Sequence, residues 1–298
     1  MEELIKELEK LIFTYSINHK LADKKFTETA LELCINAFNI RDYVEHYDVD
    51  VNCGVNAGYY IDKRYLVMDI HSIINDASNR IFQDELAGIK STEFLNYFKT
   101  NANIVYGIIH ELTHACQYKK CLEEEDTFER TILEISLDRN LSLLRNEKLS
   151  PSKIWYYKAL DKHFLGGPYY EACPSERMAD IKGLEYERDI AKLVDPEVKG
   201  HLETYTELRL LNSKINGYGV CSPTTFVTIV NEQIKDQMNL PHMDYDMNKV
   251  ENMYFIMANK RNLSLDERIW LGLPIKEYEK QKVYSKRKEL QDILLNKN

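Results

Sequence analysis

The stretch Asn103–Cys121, NIVYGIIHELTHACQYKKC, constrains this chain more than any other. It contains no proline, and its apolar residues recur at helical spacing. Such a run folds as a helix with one face against a core. His110 and His114 are four positions apart, so a helix sets their imidazoles on one face, about one turn from each other. Ile109, Leu112 and Cys116 turn away from the histidines and are expected to anchor the helix. From Gly107 to Cys116 the only charge is that of the motif itself. In a chain with 8 histidines, a His-Glu-x-x-His run arises by chance about 0.02 times. The pattern therefore reads as a metal-binding helix.

His110-Glu111-Leu112-Thr113-His114 on such a helix resembles the zincin metallopeptidases. Catalytic zinc usually takes three protein ligands and keeps one open position. One zincin class finds its third ligand in a histidine six residues after the second, with a glycine at the third. Here those positions hold Lys120 and Gln117, which excludes that class. The thermolysin-like gluzincins use a glutamate on a downstream helix, in the pattern ExxxD. Glu176-Arg177-Met178-Ala179-Asp180 matches it. The spacing of four again sets both carboxylates on one face. The resemblance covers residues 104–120 and 173–190. It implies that His110, His114 and Glu176 hold one Zn2+ per chain. It also implies that Asp180 accepts a hydrogen bond from a ligand imidazole, His110. Glu171, His163 and His201 are the other candidates for the third position.

By the same resemblance the activity is peptide-bond hydrolysis by a zinc-activated water. Glu111 serves as the general base and then hands its proton to the leaving amine. Tyr170, beside Tyr169 and near His163, is the candidate stabiliser of the developing oxyanion. Zincins also pair an edge strand with the extended substrate. Tyr65–Ile70, with Leu66, Val67 and Met68 at its centre, is the candidate for it. The uncharged flank of the motif resembles short peptidases of bacterial and phage genomes, some of which cleave a regulator protein.

The rest of the chain reads as mostly helical, an α+β protein with a small sheet upstream of the motif. Residues 2–17 and 24–39 carry apolar residues at helical spacing. Between about Val49 and Ile70, β-favouring residues flank Asp62-Lys63-Arg64, which predicts a hairpin. Helical signals return near Thr92 and run to about Lys120, where Glu123–Asp126 break the pattern. A further helix is expected over about 174–194, with Pro174 in its first turn. Ser222-Pro223 reads as a helix start and Ser264–Glu267 as a capping box. The expected organisation is a zincin-like region over 1–200 and a helical region over 201–298.

Composition narrows the partners. The net charge of -9 disfavours broad nucleic-acid binding. The net basic tail from Lys260 reads as a solvated helix face. The start MEELIKELEKLIF is an acidic amphipathic helix, unlike a signal peptide. The longest uncharged run, Ile215–Asn231, is too polar to span a bilayer. The 6 cysteines form no CxxC pair, and Cys116 and Cys173 are expected to be small core residues. These features predict a cytoplasmic protein with reduced thiols, a protein or peptide substrate and no membrane partner. Two other classes remain open: a non-catalytic binding module on a zincin-like fold, and an all-helical interaction protein that holds no metal.

Overall fold

The computed structural model describes residues 1–52, 55–89, 91–123, 128–145, 148, 173–194, 196–216 and 275–296. Among these the chain is predominantly helical, with one three-stranded sheet. The helices are α1 Glu2–Ile17, α2 Lys24–Phe38, α3 Ile70–Leu86, α4 Glu93–Glu123, α5 Phe128–Leu144, α6 Pro174–Ala191, α7 Pro196–Asn216 and α8 Glu277–Asn296. Ser222-Pro223 and the Ser264–Glu267 capping box lie outside the described residues.

Both N-terminal helices form where periodicity expects them. Leu4, Leu8, Ile12 and Ser16 repeat every four residues and make the buried face of α1. Asp23 caps α2 by accepting the Phe26 N–H at 2.8 Å. Asn39 ends α2 in the left-handed conformation that asparagine tolerates. Asn101 of α4 reaches the loop between them. Its side-chain oxygen accepts the Ala22 N–H at 2.7 Å, and its amide donates to the Lys20 carbonyl at 2.9 Å. One fully buried amide thus satisfies backbone groups that the loop would otherwise bury unpaired.

The sheet corrects one expectation. Strands β2 Ala57–Tyr60 and β3 Tyr65–Met68 form the predicted hairpin, turning through Ile61–Lys63 and a left-handed Arg64. A further strand, β1 His46–Val49, pairs in parallel with β3, so the order is β1-β3-β2. Leu66, Val67 and Met68 therefore occupy the central strand, and are not at an edge. Both hydrogen-bonding sides of β3 are used, and all three side chains are buried. Pairing a substrate there is physically blocked. The misreading follows from β1, whose short, half-exposed segment gives little signal by itself.

Helix α3 was not expected either. Its buried residues Ile70, Ile73, Ala77 and Ile81 sit at helical steps among polar neighbours. Asp69 caps it by accepting the Ser72 N–H at 2.9 Å.

Helix α4 spans 31 residues, about 46 Å at the usual rise. Leu95, Phe98, Ala102, Val105, Ile109 and Leu112 follow one another by three or four positions and are all buried. Each large side chain so buried contributes roughly 1.5–3 kcal/mol. A second row, Lys99, Asn103, Tyr106, His110, His114 and Gln117, keeps the same spacing and is polar. All but Tyr106 are nine-tenths or more buried.

Close packing divides the chain into two compact units. One comprises Met1–Cys116, Ala179–Ser213 and Lys282–Asn298. Its core gathers α1, α2, the sheet, most of α4 and the later turns of α6. In the same unit Leu290 and Leu294 of α8 pack with Tyr205 and Leu208 of α7. The other unit comprises Gln117–Met178 and Lys214–Gln281. Within it the Asn140 amide donates to the Tyr118 hydroxyl at 2.6 Å. Among the described residues no helix is long and apolar enough to cross a membrane.

Candidate metal centre

The ligand-bearing part of α4 is helical for the reason its sequence suggests: Ile109 and Leu112 are buried in the core, and Cys116 packs against it. This leaves His110 and His114 on the other face. Their rings lie 5.1 Å apart at 80°, edge to face. They are only 6% and 8% exposed, so both imidazoles work in a largely dry setting. Glu111, one position on, is half-buried.

Helix α6 supplies the carboxylates. Pro174 opens it and Glu176 stands in its first turn, where the helix dipole favours negative charge. Within this segment the buried Gln117 side chain donates to the Ser175 carbonyl at 2.9 Å. Cys173 is fully buried, with its Sγ 3.1 Å from the Ser175 hydroxyl.

One ligand atom each from His110, His114 and Glu176 lie within 4.8 Å of one another. Donors that bond a tetrahedral zinc at about 2.1 Å lie roughly 3.4 Å apart, so side-chain rotations of about an ångström would close the group on an ion. Two imidazoles and one carboxylate also match zinc in ligand type. Among the described residues this trio is the only such group. His201 is not part of it: it stacks on Tyr205 within α7. His163, Tyr169, Tyr170 and Glu171 lie outside the described residues.

Asp180 stands one turn after Glu176, and its Oδ1 lies 3.3 Å from Nδ1 of His110. A carboxylate at this distance favours the proton on Nδ1, the tautomer that would leave Nε2 for a metal. The same oxygen accepts the hydroxyl of Tyr106. Tyr106 was absent from the sequence reading. Burial, and then the Asp180 charge, hold its phenol well above the ordinary tyrosine range, so it stays a neutral donor. Its ring also lies 6.2 Å from that of His110. The available signal was its place one turn before His110, on the histidine face.

Gly183 makes room for this tyrosine. A Cβ at position 183 would meet the Tyr106 ring at 2.7 Å and the Tyr106 carbonyl at 3.1 Å. A glycine within a helix costs roughly 1 kcal/mol against alanine. Here it permits the close approach that delivers the Tyr106 hydroxyl to Asp180.

No family model, curated protein or solved structure matches the chain.

Proposed function

We propose that this chain is a zinc-dependent metallopeptidase of the gluzincin type, acting in the cytoplasm on a protein or peptide. The carrying observation is the convergence of His110, His114 and Glu176, with Asp180 backing His110. The spacing of His110 and His114 and the resemblance of Glu176-Arg177-Met178-Ala179-Asp180 to the gluzincin pattern support the same reading.

His110, His114 and Glu176 would hold the ion. When bound, zinc polarises a carbonyl and lowers the pKa of water toward neutrality. Asp180 orients His110 and raises its basicity, and Tyr106 keeps Asp180 in position. Glu111 takes a proton from the attacking water and returns it to the departing amine, so that an amide and a water become an acid and an amine.

Metal content by mass spectrometry tests the reading, on protein purified without a chelating tag. About one zinc per wild-type chain is expected. Glu176→Ala should lose most of it. Full zinc retention in that variant would remove Glu176 from the site. An absence of metal in the wild type after zinc addition would remove the reading itself.

A further inference from the structure

One row of α6 meets both α4 and α7. Asp180, Gly183 and Glu187 follow one another at steps of three and four, so the helix stacks them on one face. Asp180 stands against Nδ1 of His110 and accepts the Tyr106 hydroxyl. Gly183 leaves the gap that the edge of the Tyr106 ring enters. Glu187, one turn further on, is neither a ligand nor in contact with one.

Glu187 pairs with Arg209 of α7. Its side chain is 2% exposed, and both of its carboxylate oxygens accept from Nη1 of Arg209. A buried ion pair adds little net stability, because the cost of desolvating both charges offsets their attraction. The pair does fix where the guanidinium lies. That place is over the Tyr106 ring, 5.6 Å from its centre, within reach of a cation–π attraction. A cation there draws electron density from the ring and makes its hydroxyl a stronger donor. Burial and then the Asp180 charge raise the Tyr106 phenol, and the Arg209 charge opposes them, so the guanidinium acts on the group that holds Asp180.

We infer that Arg209 is a positioning residue of the metal centre. Anchored by Glu187, it holds the Tyr106 ring and strengthens the hydroxyl's bond to Asp180, which keeps the His110 imidazole in its ligand orientation. The contacts run from Glu187 through Arg209, Tyr106 and Asp180 to His110. They extend the centre to α7, a helix that supplies no ligand atom. This role rests on His110, His114 and Glu176 holding zinc, the reading proposed above.

The test is the zinc affinity of the full chain, measured by competition with a chromogenic chelator in a double-mutant cycle. Removing Arg209 alone would strand the Glu187 carboxylate. Both are therefore replaced together, as Glu187→Leu with Arg209→Met. Tyr106→Phe, which keeps the ring and loses the hydroxyl, is the other half of the cycle. Each half should lower zinc affinity about 10-fold. All three substitutions together should lower it no further than Tyr106→Phe does, because both halves act through one hydroxyl. A purely structural pair would lower the Tm and leave zinc affinity unchanged, or its effect would multiply with that of Tyr106→Phe, and either result overturns the role. If the paired variant does not fold, Arg209→Lys decides. It keeps a charge against Glu187 but gives up the flat guanidinium over the ring. A loss of zinc affinity that vanishes in the Tyr106→Phe background supports the role, and an unchanged affinity overturns it. Wild-type protein that takes up no zinc overturns the centre itself, whereas a zinc-loaded wild type indifferent to Arg209 overturns only the role given to this arginine.

Discussion

The polar row of α4 has two ends of opposite electrical character. At one end His110 and His114, with Glu176 of α6, offer lone pairs and a negative charge. At the other, Lys99 lies with Arg80 and Arg209, three cations on one wall, with Asp84, Glu187 and Glu85 as the surrounding carboxylates. Eleven positions, about 16 Å of helix, separate Lys99 from His110. Asn101, between them on the helix but turned to the N-terminal loop, is fully matched by protein groups. The contrast is instructive because Lys99, Asn101, His110 and His114 are all buried. Where the protein supplies every partner, a buried polar residue is part of the architecture.

The sharpest way to break this contrast is at the histidine end. Glu111→Gln should lower hydrolysis of a cleavable peptide by about 10²–10⁴-fold while zinc content stays near wild type. Undiminished turnover in that variant would deny Glu111 its role. Asp180→Asn leaves the three ligands in place but weakens the hold on His110. Zinc affinity, measured by competition with a chromogenic chelator, should fall about 10–100-fold. An unchanged affinity would show that Asp180 only packs.

The lysine end responds to pH instead. Burial pushes the Lys99 ammonium down to about 8, from an ordinary value near 10.5. Below pH 8 the group is charged in both folded and unfolded chains, and the full cost of burial is present. As pH rises from 8 to 10.5 the folded state sheds its proton first. The unfolded chain then binds more protons, so stability rises with pH across that window. In gluconate buffer, Lys99→Met should remove this Lys99-specific rise and stabilise the protein at pH 7 by about 2–3 kcal/mol. Urea unfolding at pH 7 and 10 measures both. A destabilised variant with an unaltered pH slope would contradict the account.

Gly183→Ala should have the smallest effect. The added methyl displaces the Tyr106 ring, at a net cost of about 1–2 kcal/mol after the gain in helix propensity. Thermal melting measures this cost. Zinc affinity should fall less than in Asp180→Asn, because the carboxylate itself remains. If alanine stabilises the protein, the tight contact between Gly183 and Tyr106 carries no weight.

Much of the candidate site was legible in the sequence because it depends on short-range geometry. A spacing of four on a helix fixes which side chains share a face, and this held for His110 with His114 and for Glu176 with Asp180. The helices α1, α2, α4 and α6 were legible for the same reason. Contacts between distant segments were not. Tyr106 gains its role only when Gly183 brings α6 close. Lys99 reads as an ordinary lysine until α3 and α7 enclose it. Strand β3 appeared to be one arm of a hairpin, and only β1, pairing from outside it, makes it central. Helix α3 went unrecognised because its four apolar positions are diluted by polar residues, although Asp69 marks its start.

The Asn101 bridge has a consequence for synthesis. The hydrogen bond from the Ala22 N–H to Asn101 joins residues 79 apart in the chain. At roughly 5–20 residues per second, a translating ribosome needs about 4–16 s to cover that interval. During that time α1 and α2 can pair, but the apolar stripe of Leu4, Leu8 and Ile12 has no α4 to complete its shelter. The nascent N-terminal pair thus exposes an apolar stripe until α4 has been made, and Asn101 is the residue that then ties the two segments together.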